Sequence, residues 1–338
     1  MSVKVVNPGL FTTIQDLGRP GYFHLGIPIS GGMDRYALSA ANLLVGNDEG
    51  AAVLESAFMG PTLEFESDAT VAVTGGEIPP KVDGEERDCW TAFKVKAGQV
   101  VSFDYLRRGA RAYIAISGGI ATPTYLGSRS TYLIGALGGV DGRAVGIGDM
   151  LPLGEGTSVA EGRTVPEHLR RLPGNPAELR ALPGLYWRLI TEEAGRNFFE
   201  DEWKVAPEAD RMGVRFRGGR PLSFKPRKQP FGAGSDPSNI VDGCYSYGSI
   251  QVPGGTEPIV LHRDAVSGGG YFTLGAVISA DMDLIGQLQP HTPTRFVSVT
   301  MDEALAARLA DFPEETTDPV PGFFQTEVAP IARVCTRS

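Results

Sequence analysis

From residue 51 to residue 119, apolar and polar positions alternate in short runs, with β-branched and aromatic residues on one phase. That two-residue period is the mark of strands with one buried face. The clearest runs are 62–66, 70–74, 93–95, 100–105 and 111–117. Gly75-Gly76, Asp83-Gly84, Ala97-Gly98 and Arg108-Gly109 are expected to turn the chain between them, because glycine enters positive φ without steric cost. A meander of this kind predicts a barrel or a sandwich. One segment keeps another period: Ala37, Ala40, Ala41 and Leu44 recur at three, four and seven residues, behind Asp34 as a possible N-cap and ahead of Gly46-Asn47. This predicts a helix of about three turns. Its alanine-rich face requires close approach to whatever it packs on.

Between residues 154 and 183 the alternation gives way to charged and proline-rich sequence. We read 1–160 as an N-terminal β domain, 161–183 as a linker, 184–315 as a C-terminal β-barrel domain and 316–338 as a tail. Expected strands of the second domain are 185–190, 214–216, 249–252, 258–262, 271–279 and 294–300, with short helices at 191–199 and 302–312. The fold class is mostly β with a few short helices. A chain of 338 residues has room for about two cores.

Composition sharpens this picture. The 44 glycines and 25 prolines imply many turns and short elements. A net charge of −9 argues against nucleic acid as a partner, since tracking phosphates requires a basic face. Cys89, Cys244 and Cys335 are too scattered for a zinc or redox pair, which suits a reducing compartment. No basic segment followed by an apolar run opens the chain, and no apolar stretch approaches the roughly 20 residues that span a bilayer. We expect a cytoplasmic protein that does not engage membrane.

The sequence contains no Walker-type loop, dinucleotide fingerprint, nucleophile elbow or zinc-protease motif. The four histidines, His24, His168, His262 and His291, lack metal-ligand spacing, so no metal site is expected and a structural role is the default for each. The remaining candidates are clusters of Gly, Ser, Asp and Arg. Residues 15–21 and then 30–34 precede the predicted helix, where free amides and Arg19 suit an anion. Tight turns and an Asp16–Arg19 pair explain the same residues. In 126–131, Ser128, Ser130 and Thr131 surround Arg129, as a phosphate or carboxylate cradle or a hydroxyl-rich corner would. Ser267-Gly268-Gly269-Gly270 marks either a close approach to a ligand or a barrel bend. Glu55, in the apolar stretch 51–58, is either a buried carboxylate with a partner or an outward-facing residue.

In this order the clusters resemble the family of the 5-oxoprolinase C subunit, also called KipA or allophanate hydrolase subunit 2. The matching stretches are Asn7-Pro-Gly-Leu, Thr13-Ile-Gln-Asp-Leu-Gly-Arg-Pro-Gly-Tyr22, Ser30-Gly-Gly-Met-Asp34, Ala41-Asn42, Leu54-Glu55, Gly118-Gly119 and Gly127-Ser-Arg-Ser-Thr131. The second half adds Asp210-Arg-Met-Gly213, Ile250-Gln-Val-Pro253, Pro258-Ile-Val-Leu261, Gly269-Gly-Tyr271 and Ala280-Asp281. The likeness covers roughly residues 3 to 300.

The resemblance implies two cyclophilin-like β-barrel domains and work within a complex that includes A-like and B-like sister subunits. In 5-oxoprolinase such a complex opens 5-oxoproline to glutamate with ATP. A similar region of urea carboxylase moves carboxyl from carboxybiotin to urea, and biotin would then sit on a partner, since this chain has no Met-Lys-Met site. In the KipA setting the role is regulatory binding. Both enzymatic tasks deliver an electrophile to an unreactive amide or lactam, which calls for anion donors and a proton carrier. Asp34, Glu55 and Asp264 are the candidates for proton handling, and Arg19, Ser128, Arg129, Arg211, Gln251 and Tyr271 for substrate or anion binding. The chain departs from the family where Asp-Arg-Gln-Thr usually precedes the double glycine: here it reads Asp264-Ala265-Val266-Ser267. Val241-Asp242-Gly243 followed by Cys244-Tyr245-Ser246-Tyr247 replaces a shorter stretch, and Phe272 replaces a proline. The loss of Arg and Gln donors widens the expected substrate from 5-oxoproline to a close analogue, another amide or lactam.

Overall fold

Alternating burial builds the first half of the chain in the computed structural model, which describes residues 1–157 and 159–311. Cys335, Phe312 and the expected tail at 316–338 lie outside the described residues. The described chain divides into two compact units, Met1–Pro20 with Ser30–Leu172 and Gly21–Ile29 with Pro173–Asp311.

The first unit contains β1 (Ser2–Asn7), β2 (Phe11–Gln15), α1 (Arg35–Leu44), β3 (Val53–Ala57), β4 (Thr62–Phe65) and β5 (Ala69–Glu77). It continues with β6 (Lys81–Val82), β7 (Glu85–Glu86), β8 (Phe93–Val95), β9 (Val100–Ser102), β10 (Arg108–Ile116) and β11 (Met150–Pro152). Two sheets result, ordered β11-β1-β4-β9-β6-β7 and β2-β3-β10-β5-β8. One core joins Val3, Val5, Leu63, Phe65 and Val101 of the first sheet to Leu54, Val71, Val73, Ile114 and Ile116 of the second. The intervening residues Val53, Ala72, Tyr113 and Ala115 point the other way, into a second core with Ala37, Leu38, Ala40, Ala41 and Leu44 of α1. A sheet covered on both faces explains why β5 is buried almost throughout and reads as a continuous apolar run. Asp34 caps α1 as expected, its Oδ1 accepting from the Ala37 amide at 2.9 Å.

Two of the expected turns are strand instead. Gly75-Gly76 lies inside β5 and Arg108-Gly109 inside β10. A Cβ on Gly76 would sit 2.3 Å from Leu106 Cδ2, so this glycine serves close packing rather than chain reversal. Asp83-Gly84 is the turn expected, joining β6 to β7 with both residues at positive φ.

The second unit holds β12 (Ala177–Pro183), α2 (Glu192–Glu200), β13 (Trp203–Val205), β14 (Gly213–Arg217), β15 (Asn239–Cys244), β16 (Ser249–Gln251) and β17 (Ile259–Leu261). It ends with β18 (Gly268–Tyr271), β19 (Thr273–Val277), α3 (Met282–Ile285), β20 (Pro293–Ser298) and α4 (Met301–Asp311). Seven strands close a barrel in the order β12-β19-β16-β17-β14-β13-β20, sealed by the parallel pair β12 and β20. A separate ribbon pairs β15 with β18. The ring of Phe198 on α2 stacks on Phe296 at 4.8 Å, and Phe216 meets Phe296 edge-on at 5.2 Å.

Residues 177–183, placed in the linker by their charges and proline, form the first barrel strand. Leu179 and Ala181 are buried and alternate with Glu178 and Arg180, a short period-two pattern set within the charged, proline-rich stretch. The expected strand at 185–190 is a single 3₁₀ turn, Trp187–Leu189. Leu185 is 88% exposed there, and the two buried residues, Leu189 and Ile190, are adjacent, so the segment lacks the alternating face of a strand.

Candidate functional site

Three glycine-rich loops of the first unit meet at one carboxylate. Asp16, just past the end of β2, is buried; its Oδ1 accepts from the Ser128 hydroxyl at 2.6 Å, the Gly18 amide at 2.8 Å and the Ser130 hydroxyl. Its Oδ2 accepts from the Arg129 amide at 2.6 Å, and its carbonyl from the Gly32 amide at 2.9 Å. Gly31 has a φ of +88°, and a Cβ there would lie 2.8 Å from the Gly18 nitrogen, so the 30–34 loop can seat only glycine at this point. Arg19 is fully buried and donates from Nη2 to the Ser130 carbonyl, while Arg129 Nε donates to the Thr122 carbonyl at 2.7 Å. The anion for which the 128–130 loop is shaped is thus a carboxylate of this chain. An added phosphate would have to displace it.

Glu55 on β3 is buried, not outward-facing. Its Oε2 accepts from the Met33 amide and from the Tyr113 hydroxyl, each at 2.8 Å, and Arg111 Nε lies 3.8 Å from Oε1. Tyr113 in turn accepts from the Asp34 amide at 2.8 Å. Burial, then the Glu55 and Asp34 carboxylates, hold the Tyr113 hydroxyl well above its ordinary pKa, so it stays protonated and donates. Asp34 and Glu55 therefore fix the entry to α1.

In the second unit Arg211 and Asp264 form a buried fork, Nε to Oδ2 at 2.7 Å and Nη2 to Oδ1 at 3.4 Å. The proton handler and the anion donor expected there hold each other. Gln251 is buried, near the Tyr245 hydroxyl. That hydroxyl donates to the Tyr271 carbonyl at 2.9 Å and accepts from the Tyr271 amide at 2.8 Å, while the Tyr271 side chain is 46% exposed. The glycine run closes on the same ring: a Cβ on Gly269 would sit 3.2 Å from the Tyr245 hydroxyl.

Beside these residues lies a cavity of about 870 Å³. Its walls include Tyr245, Ser246, Tyr247, Ser249, His262, Arg263 and Ser267, with Leu182, Pro183, Phe23 and Ile29 as apolar surface. Sequence reasoning ranked His262 as structural and passed over Arg263 and Tyr247. The Arg263 guanidinium lies 4.4 Å over the Tyr247 ring, and Tyr247 meets the His262 ring edge-on at 5.3 Å. His262 Nε2 is 3.0 Å from the Met282 carbonyl, which only accepts, so Nε2 carries a proton. The available signal was position: both residues follow directly on β17, at the end of a barrel strand.

A second, polar cleft of about 1040 Å³ belongs to the first unit. There Arg87, Arg107, Arg108 and Arg170 face Glu77, Glu86, Asp88 and Glu167, a balance that favours no net charge in a ligand. The Cys89 thiol beside it is pushed up to about 11 by burial, which makes it a poor nucleophile. Among the described residues, no three His, Cys, Asp or Glu side chains group as a metal site, and no helix is long and apolar enough to cross a membrane.

Comparison with known proteins fits this architecture. The model of the "carboxyltransferase domain, subdomain A and B" matches residues 25–298. The chain is 35% identical over 308 residues to the C subunit of 5-oxoprolinase from Escherichia coli (strain K12), covering 90% of this chain and 94% of that one. It is 33% identical over 317 residues to urea amidolyase of Saccharomyces cerevisiae, of which it spans only 17%. The crystal structure of the Kluyveromyces lactis urea amidolyase superposes with a TM-score of 0.84 and 34% identity, over 90% of this chain and 19% of that one. A family model over most of the chain, joined to a relative matched over nearly its whole length, places this protein in the carboxyltransferase-domain family together with the C subunit of 5-oxoprolinase.

Proposed function

We infer that this chain is a subunit of a cytoplasmic, ATP-dependent amidohydrolase of the 5-oxoprolinase type, which opens a lactam or related amide. The observation that carries this reading is coverage: the chain matches 94% of a 5-oxoprolinase C subunit but 17% of a urea amidolyase. Its partners are an A-like and a B-like subunit. Its own contribution is the cavity of the second unit, where hydroxyls and a guanidinium line one wall and apolar side chains another. That mixture suits a small amide ring, whose carbonyl and N–H need partners while its carbons do not.

ATP is assigned to the partners. In the first unit, the loop with the best shape for a phosphate holds Asp16 instead, so this chain's residues do not fit a nucleotide there. What the chain supplies to the reaction is binding and orientation in a partly desolvated pocket, which lowers the barrier by holding substrate in register.

Carboxyl transfer from carboxybiotin on a partner to urea or a similar amide is the second reading, favoured by the match to a carboxyltransferase domain. Reconstitution separates the two. The chain is combined with A-like and B-like partners, and ATP hydrolysis is followed with and without 5-oxoproline and a panel of lactams and ureas. Stimulation with release of glutamate or its analogue supports the amidohydrolase. A strict requirement for a biotinylated partner and bicarbonate supports carboxyl transfer. A stable complex that no compound stimulates leaves regulatory binding as the role.

A further inference from the structure

Residues 21–29 belong to the second unit, although the chain on either side of them, through Pro20 and from Ser30, belongs to the first. This excursion closes on itself at its foot. The Gly32 amide donates to the Asp16 carbonyl at 2.9 Å, and a Cβ on Gly31 would lie 2.8 Å from the Gly18 nitrogen. A compact surface loop whose two ends meet in this way is an Ω-loop, a form that is frequently functional. Its hydrogen bonds stay inside it: the Leu25 and Ile27 amides donate to the Tyr22 carbonyl at 2.9 and 3.4 Å, and the Gly26 amide to the Phe23 carbonyl at 3.0 Å. Among the described residues, no hydrogen bond or ion pair joins 21–29 to the barrel.

Yet Phe23, His24 and Ile29 form part of the wall of the second unit's cavity. That part of the wall is held by packing alone, and segments with few polar attachments open at the low end of the stability range. Gly21, where the loop begins, has a φ of +98° and nothing within 4 Å of an added Cβ, so the backbone has room to turn there. Size gives such a motion a use. At about 870 Å³ the cavity is near the upper end of small-molecule pockets, which run from roughly 300 to 1,000 Å³, and a small amide ring fills little of it. Water left around the ring competes for its carbonyl and N–H and weakens every electrostatic contact. A wall that advances on the bound ring removes that water. We propose that residues 21–29 are a lid, which closes over the cavity on its clamped foot when a small amide binds, and that Phe23 is the side chain that shuts water out.

The proposal rests on the reading of this cavity as the substrate pocket. It is tested by hydrogen exchange of the full chain, followed by mass spectrometry, with and without 5-oxoproline and, in parallel, with urea far below denaturing concentration. In the free chain the amides of 21–29 exchange at least about 100-fold faster than those of β16 and β19, which pair in the barrel. Saturating ligand slows the lid amides by about tenfold or more and leaves the barrel as it was. Phe23→Ala abolishes the slowing, whereas Leu25→Ala, at a residue 64% exposed on the same loop, keeps it. Lid amides as slow as the barrel in the free chain, or unchanged by both compounds, overturn the proposal without any variant, so a misfolded Phe23→Ala does not decide it. Equal slowing in a folded Phe23→Ala overturns it as well. Slowing by urea but not by 5-oxoproline keeps the lid and removes the 5-oxoprolinase reading. No slowing by either compound, beside a complex that opens 5-oxoproline, does the reverse.

Discussion

Arg211 and Asp264, expected to bind an anion and to handle a proton, form an ion pair whose energetics can be tested directly. Both are buried, and in their fork each supplies a counter-charge to the other. Removing one strands a charge in a low-dielectric site, which costs about 3–5 kcal/mol, whereas replacing both with apolar side chains of similar volume is often near neutral. Arg211→Met alone should therefore lower the urea midpoint sharply, and Arg211→Met with Asp264→Leu should recover most of the loss. A double variant as unstable as the single one would mean that Asp264 has a further partner. Glu49 behaves differently. It is partly buried, its Oε2 has no hydrogen-bond partner, and burial raises its pKa from 4.5 to about 7 against the pull of Arg35. The folded state thus binds this proton more tightly than the unfolded chain does. Its contribution is fully present below about 4.5 and is lost as pH rises through about 7. In unfolding titrations, Glu49→Gln should gain on the wild type by about 1 kcal/mol between pH 5 and pH 8, solvent at the part-exposed side chain screening the rest. A constant gap across that range would mean an ordinary carboxylate.

Elements were legible where one physical signal dominated. The alanine period of α1, its Asp34 cap and the alternation of β4 and β8 required nothing beyond local spacing. β12 was missed because its short alternation lies within a charged, proline-rich stretch, and the strand is defined by neighbours far away in sequence, β19 and β20. Gly75 and Gly76 were misread because a glycine that permits packing looks the same as one that permits a turn. The candidate site was legible as a set of loops, since Asp16, Ser128 and Arg129 stand in recognisable clusters. It was not legible as a cavity: Arg263 and Tyr247 meet only after the barrel closes. α1 offers the plainest test of element-scale packing. Ala40 is fully buried in the core shared with Val53, Ala72, Tyr113 and Ala115, and the helix packs against β5 and β10. Ala40→Leu adds three carbons where helix and sheet already touch, and should cost about 1–3 kcal/mol. Unfolding in urea measures it, and a neutral result would show that the helix can lift from the sheet without penalty.

At the scale of the whole molecule, charge and pocket oppose each other. A net charge of −9 repels an acidic ligand such as 5-oxoproline at long range, while the cavity proposed to hold it has a wall free of acids. Salt acts unequally on the two. Its screening length shrinks from about 30 Å at 0.01 M to about 10 Å at 0.1 M, which removes much of the diffuse repulsion but leaves a buried contact nearly intact. Affinity of the chain for 5-oxoproline should accordingly rise with salt over this range, by about two- to fivefold. An exposed basic surface behaves in the opposite way, because its attraction is itself screened. The polar cleft of the first unit, with Arg107 and Arg108 exposed at its edge, provides that contrast within the same protein. Titration at the two salt concentrations thus locates the ligand: rising affinity belongs to the acid-free cavity, and a tenfold fall would move the carboxylate to the surface arginines.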